Sequence, residues 1–140
     1  MRILITGAGG FIGTNLLKFY EESGHDIHAV DPILPNNCYG ATKHKERIQN
    51  TCLIKTLQPD IIIHLAGYSG VRMSDDIPLM YMENNVCGTV HVFEEAKKNG
   101  VNRIIYASSS SVYGEEPCQP EDSLFGRQKS MYALTKYMKE

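Results

Sequence analysis

Apolar and polar positions alternate along this chain in two periods. Arg2–Thr6 (RILIT) is a short β-branched run ending at a glycine cluster, and it predicts a strand. From Phe11 to Ser23 the apolar positions Phe11, Ile12, Leu16, Leu17, Phe19 and Tyr20 recur at helical spacing, and Gly24 supplies a stop. Asp26–Val30 reads as a second strand ending at Asp31, and Pro32 and Pro35 break the regular pattern beyond it. A polar, basic segment, Thr42–Arg47, leads into a helix with Ile48, Leu53 and Leu57 on one side, closed by Pro59. Asp60–Leu65 (DIIIHL) is nearly continuous in apolar residues, as a strand covered on both faces should be. After a Gly/Ser loop, Pro78 to about Asn99 predicts a long helix that Gly100 stops. Val101–Ser108 is the next strand, a loop of Pro, Glu and Gly comes after it, and Ser130 suits the N-cap of a last helix.

Strand–helix alternation of this kind calls for an α/β fold, a Rossmann-like doubly wound parallel sheet with helices on both faces. No internal repeat or low-complexity tract interrupts it. Between Asp31 and the DIIIHL run there is room for one helix and no clear strand, so the sheet is expected to lack an edge strand. At 140 residues the chain is expected to form one domain.

Composition narrows the partners. Hydrophobic residues at 42% and charged residues at 21% describe an ordinary globular protein, and a net charge of -2 carries no polyanion-binding signal, so nucleic acid is not expected. No apolar run approaches the ~20 residues needed to span a bilayer. The N-terminus passes straight into a strand without a leader, which points to the cytoplasm. Cys38, Cys52, Cys87 and Cys118 are scattered with no Cys-x-x-Cys pair, which suits reduced thiols and gives no reason to expect a metal.

The candidate chemistry starts at Thr6-Gly7-Ala8-Gly9-Gly10-Phe11-Ile12-Gly13, which joins a strand to a helix. Gly7 allows a tight turn, Gly10 lets backbone approach a pyrophosphate, and Gly13 permits close helix–strand packing. The N–H groups of the first helical turn, around Phe11 and Ile12, then face the anion together with the helix dipole. Asp31 ends the next strand, where it can accept hydrogen bonds from adenosine ribose hydroxyls and repel a 2′-phosphate. The expected cofactor is therefore NAD rather than NADP.

Tyr132 and Lys136 lie four residues apart, on one face of the last predicted helix. A phenol is a poor base at neutral pH, and a neighbouring ammonium stabilises its ionised form. The run Ser108-Ser109-Ser110-Ser111-Val112-Tyr113-Gly114 comes after the Val101–Ser108 strand, at the carboxyl end where open α/β sheets place ligands. A hydroxyl there can bond the substrate oxygen that the tyrosine deprotonates.

Together these motifs resemble the extended short-chain dehydrogenase/reductase family, in particular the NAD-dependent nucleotide-sugar epimerases and dehydratases. TGAGGFIG, HLAG at His64–Gly67, ENNVCGT at Glu83–Thr89, ASSSSVYG at Ala107–Gly114 and YALTK at Tyr132–Lys136 carry the resemblance across the chain. It implies that Ser109 is the catalytic serine, that Tyr132 is the acid/base, and that Lys136 binds the nicotinamide ribose and tunes Tyr132. It also implies that the backbone of Leu65, Ala66 and Gly67, with Asn85, lines the cofactor. Family dehydratases carry carboxylates just before the V-Y-G triplet; here Ser110 and Ser111 fill those positions, which favours an epimerase over a dehydratase, with a dehydratase or reductase of the same family as the alternative. The stretch Ser69–Ser74 is closest to UDP-glucuronate 4-epimerase-like members, and Arg72 either faces an acidic sugar or phosphate or is a surface arginine.

Two departures qualify the resemblance. Family members carry a C-terminal substrate domain for the nucleotide diphosphate, and it is expected to be absent here. The family's acidic adenine-contacting motif after the second strand also has no match. The family implies a homodimer and a nucleotide-diphosphate sugar substrate; a non-catalytic NAD-binding module is the remaining alternative.

Overall fold

A computed structural model of the protein describes residues 1–114 and 128–140. In chain order its elements are β1 (Arg2–Thr6), α1 (Phe11–Tyr20), β2 (Asp26–Val30), β3 (Thr42–His44), α2 (Leu53–Leu57), β4 (Ile61–His64), α3 (Val71–Asp76), α4 (Pro78–Tyr81), α5 (Gly88–Lys98), β5 (Ile104–Tyr106) and α6 (Met131–Tyr137). Short 3₁₀ turns occupy Ile48–Asn50 and Ser110–Tyr113, and a π-helical turn, Met82–Cys87, joins α4 to α5. These residues form two compact units, Met1–Ala66 with Gly88–Ala107, and Gly67–Cys87 with Ser108–Glu140.

The first unit is built on a five-stranded sheet of order β3-β2-β1-β4-β5, parallel throughout. The period-2 alternation of each strand divides the core. Ile3, Ile5, Ile27, Ala29, Ile61 and Ile63 pack with Leu17 of α1 on one face. Leu4, Val30 and Ile62 pack with Ile54 of α2 and with Val92 and Ala96 of α5 on the other. Two apolar faces explain why DIIIHL carries no polar alternation. β1 lies where the order reverses, between β2 and β4, and this is the switch point at which such sheets bind ligands.

The edge strand expected to be missing is present. β3 pairs with β2 in the register His28–Thr42, Ala29–Lys43 and Val30–His44, and the Asp31 N–H extends the ladder by donating to the His44 carbonyl at 3.2 Å. An edge strand of three residues is held by backbone bonds on one side alone and needs no apolar pattern, so Thr-Lys-His left no signal. Other elements are shorter than their patterns. The helix expected around Ile48–Leu57 is a 3₁₀ turn and then five residues of α2, and β5 is confined to Ile104–Tyr106, which face Ile62–His64 of β4. In α1, Leu17 is buried whereas Phe11, Ile12 and Phe19 are exposed, so the helical spacing is real but its apolar face is only partly used.

In the second unit α6 packs against α3, α4, the π turn and the Ser110–Tyr113 turn. The predicted Pro78–Asn99 helix is realised as α4, the π turn and α5. α3 falls where only a Gly/Ser loop was legible, because six residues are too few to show a helical period. The predicted Pro/Glu/Gly loop after Gly114, and Cys118 within it, lie outside the described residues.

Candidate functional site

In the first unit the glycine turn leaves the carboxyl end of β1. Gly7 takes φ +71, and a β-carbon there would fall 2.5 Å from the Ala66 nitrogen, so the turn after β1 lies directly on Leu65–Ala66 after β4. A β-carbon at Gly13 would collide with the Gly7 carbonyl, which closes α1 onto the turn. At Gly10 the nearest atom would be the Gly7 carbonyl oxygen at 3.4 Å, and the residue is exposed. The turn is therefore tight on its protein side and open on its solvent side. α1 begins at Gly10 with no side-chain cap, which leaves the first-turn N–H groups at Phe11 and Ile12 available to an anion.

Asp31 sits beside this turn. Its Oδ1 accepts the Ile33 N–H at 2.8 Å, and a β-carbon on Gly9 would approach its carboxyl carbon to 3.0 Å. The same Oδ1 thus closes the turn before Ile33 and stands on the glycine side, 3.1 Å from where a Gly9 β-carbon would be. Gly9 was not expected to matter, since it lies off the G-x-x-G-x-x-G spacing. A β-carbon there would collide with the Ile33 carbonyl, which only the fold reveals.

A buried polar chain supports the β4 turn. His64 Nδ1 lies 2.7 Å from Thr6 Oγ1 and its Nε2 lies 2.9 Å from Thr89 Oγ1, while Thr6 Oγ1 also accepts the Ala66 N–H at 3.3 Å. This ties the TGAGG, HLAG and NVCGT motifs into one frame, in which His64 is 1% exposed and acts as a spacer.

In the second unit α6 carries Tyr132 and Lys136. The Lys136 ammonium stands 5.7 Å from the centre of the Tyr132 ring, inside cation–π range. Burial lowers the Lys136 pKa, while the Glu140 carboxylate pulls it back up. Tyr81, fully buried, meets the Tyr132 ring edge to face at 6.4 Å. Its own pKa is raised by burial first and then by Tyr132 and Tyr68, and its hydroxyl donates to the carbonyls of Ser69 and Gly70 at 2.7 and 2.9 Å.

The backbone of Tyr132 is held at both ends. Its N–H donates to Ser74 Oγ at 2.9 Å, and its carbonyl accepts from Thr135 Oγ1 at 2.8 Å. Asn85, 0% exposed within the π turn, donates to Thr135 Oγ1 at 3.0 Å and brackets Tyr68 by accepting its N–H and donating to its carbonyl, at 2.7 and 3.1 Å. Asn85 thus reaches the site through Tyr68 and Thr135. A β-carbon at Gly67 would lie 2.9 Å from Asn85 Oδ1 and 3.7 Å from the ammonium of Lys139, which is 8% exposed. Burial, then repulsion from Lys136, lowers the Lys139 pKa to about 7.

Ser109 is the N-cap of the Ser110–Tyr113 turn. Its Oγ accepts the Ser111 N–H at 3.2 Å, so its own hydroxyl proton points elsewhere. Ser110 is exposed and Ser111 half-buried on that turn. Arg72 is exposed on α3, with no hydrogen bond or ion pair among the described residues. Among those residues no cluster of three His, Cys, Asp or Glu is placed to hold a metal, and no helix is long and apolar enough to cross a membrane.

The sequence model of the NAD dependent epimerase/dehydratase family matches residues 3–140. The chain belongs to that family. Among relatives of this epimerase/dehydratase chain, Protein CapI of Staphylococcus aureus is 32% identical across all of it and 48% of CapI. UDP-glucuronate 4-epimerase of Thermodesulfobacterium geofontis is 33% identical over 95% of the chain and 47% of that enzyme. MoeE5 in complex with UDP-glucuronic acid and NAD superposes with a TM-score of 0.90 at 35% identity, over 99% of this chain and 46% of MoeE5. The epimerase/dehydratase chain thus spans about half the length of the relatives it matches.

Proposed function

We propose that this chain is the cofactor-binding and acid/base portion of an NAD-dependent 4-epimerase of a UDP-linked sugar. The observation that carries the reading is the Tyr132–Lys136 pair, an ammonium 5.7 Å from a phenol ring on one face of α6. Family membership and the epimerases among its relatives support the reaction class.

The first unit fits NAD. The open side of Gly10 and the uncapped first turn of α1, at Phe11, Ile12 and Gly13, suit a pyrophosphate, with Gly7 and the Leu65–Ala66 backbone beside it. The Asp31 oxygen not used by Ile33 suits the adenosine ribose hydroxyls and disfavours a 2′-phosphate. When bound, NAD supplies the reversible hydride acceptance that a redox-neutral epimerisation needs. The residues of this chain handle the proton. Lys136 stabilises the Tyr132 phenolate, which takes the proton of the sugar 4-hydroxyl and later returns it. The free Ser109 hydroxyl proton donates to the same sugar oxygen. Ser110 and Ser111 stand where eliminating relatives need carboxylates, which favours epimerisation over dehydration, and exposed Arg72 suits an acidic sugar or a phosphate.

Exposed Met73, Leu79 and Met80 on α3 and α4 support self-association as a homodimer, and light scattering on the purified chain tests it. The reaction is tested by incubating the full chain and NAD with UDP-glucose or UDP-glucuronate and resolving the C4 epimers. Interconversion is expected, and Tyr132→Phe should lower kcat by about 10²–10⁴ while NAD affinity persists. A 4-keto-6-deoxy product, or turnover unchanged in Tyr132→Phe, would sink the proposal.

A further inference from the structure

The first turn of α6 is capped from outside its own sequence. An α-helix begins with N–H groups that have no intrahelical acceptor. In α6, Ser130 Oγ accepts the Ala133 N–H at 3.0 Å, which is the ordinary local cap. The two N–H groups before it turn to α3. Asp75 Oδ1 accepts the Met131 N–H at 3.1 Å, and Ser74 Oγ accepts the Tyr132 N–H at 2.9 Å. Ser74 lies 58 residues from Tyr132 in sequence and is 0% exposed, and its hydroxyl proton is directed at the Val71 carbonyl at 2.5 Å. The oxygen lone pair therefore has a fixed direction, toward the backbone of the one residue expected to move a proton.

We propose that Ser74 is a positioning residue for the acid/base: by holding the Tyr132 N–H it fixes where the phenol stands. The proposal deepens, and rests on, the reading of Tyr132 as the proton carrier. The Thr135 hydroxyl fixes the Tyr132 carbonyl from inside the helix, so Ser74 is what fixes the other end of the residue against a separate element. α3 also carries Arg72, two residues before Ser74, so the segment suited to meet the substrate is the one that sets the tyrosine. The geometric demand on a proton carrier is severe, since a displacement of about 1 Å can cost ~100-fold in rate. A hydroxyl buried on α3 meets that demand without touching the reacting atoms.

The test uses the full chain with NAD bound and two variants, Ser74→Ala and Ser74→Thr. The first readout is amide hydrogen exchange at Tyr132 against Leu4, a core residue of the sheet. Ser74→Ala should speed exchange at Tyr132 by about 10-fold with Leu4 unchanged, and Ser74→Thr, which keeps the hydroxyl, should restore protection. The second readout is kinetic: Ser74→Ala should lower kcat by about 10-fold with KM for the UDP-sugar held within about 2-fold, and Ser74→Thr should recover it. Unchanged exchange at Tyr132 overturns the proposal, as does an equal acceleration at Tyr132 and Leu4, which would mark plain loss of stability. A wild-type chain that binds NAD but interconverts no UDP-sugar removes the proposed activity, and the exchange readout then decides the role of Ser74 by itself.

Discussion

Lys139 shows what burial does to one side chain. Its ammonium makes no hydrogen bond or ion pair among the described residues, and burial with repulsion from Lys136 brings its pKa down to about 7. A lysine whose folded pKa lies below its unfolded one makes the unfolded chain bind more protons between the two values. The penalty is complete below about pH 7 and fades as pH rises toward ~10, so stability should climb across that window. Lys136, lowered by burial as well, acts in the same direction. Lys139→Met keeps the apolar stem and removes the charge, and it should raise stability at pH 7 on the order of 3 kcal/mol, with the gain vanishing near pH 10. Denaturant melts at both pH values check this. Gly9 makes the opposite point. Gly9→Ala must push the Ile33 carbonyl and Asp31 aside, so it should cost ~1–3 kcal/mol of stability and weaken NAD binding at least ~10-fold by calorimetry. Neither effect is visible in the residue type. Lysines are common on helices, and a second glycine in a glycine-rich turn looks redundant.

At the scale of elements, α6 owes its start to caps. Ser130→Ala removes the acceptor of the Ala133 N–H and should lower stability by ~1 kcal/mol in a thermal melt, with a shift confined to the unit that contains α6 if exchange is tracked residue by residue. Ser130 was legible as a cap because the cap lies next to the helix it begins. Ser74 and Asp75 were not, because their partners lie 58 and 56 residues away. The π turn also escaped the pattern. Its six residues, Met82–Cys87, are too few to show a period of their own, and within them Asn85 meets Tyr68 and Thr135. β3 escaped for a third reason, since it is fixed by contacts with its neighbour, the backbone pairing to His28–Val30 and the His44 ring stacked on His28, and not by a period of its own.

For the whole molecule, the two-faced sheet sets where substitutions are felt. Ile62 is 0% exposed and packs toward α2 and α5, so Ile62→Ala should cost ~2–5 kcal/mol, whereas Phe19→Ser, at a residue 76% exposed, should stay within ~0.5 kcal/mol; chemical denaturation of both variants separates the cases. The sequence determined the strands that supply this core, the α/β class and the two chemical signatures: a glycine turn with Asp31 after the next strand, and Tyr132 with Lys136 and a serine run. Those features are local, because hydrophobic period, turn chemistry and i, i+4 spacing are properties of neighbours along the chain. The tertiary structure decided which distant groups serve them. It laid Gly7 on Ala66, set Gly9 against Asp31 and Ile33, joined Thr6, His64 and Thr89 in one polar chain, and delivered Ser74 to the backbone of Tyr132. Each of these depends on close packing between segments far apart in sequence, where fractions of an ångström decide contact or collision, and no period along the chain encodes that.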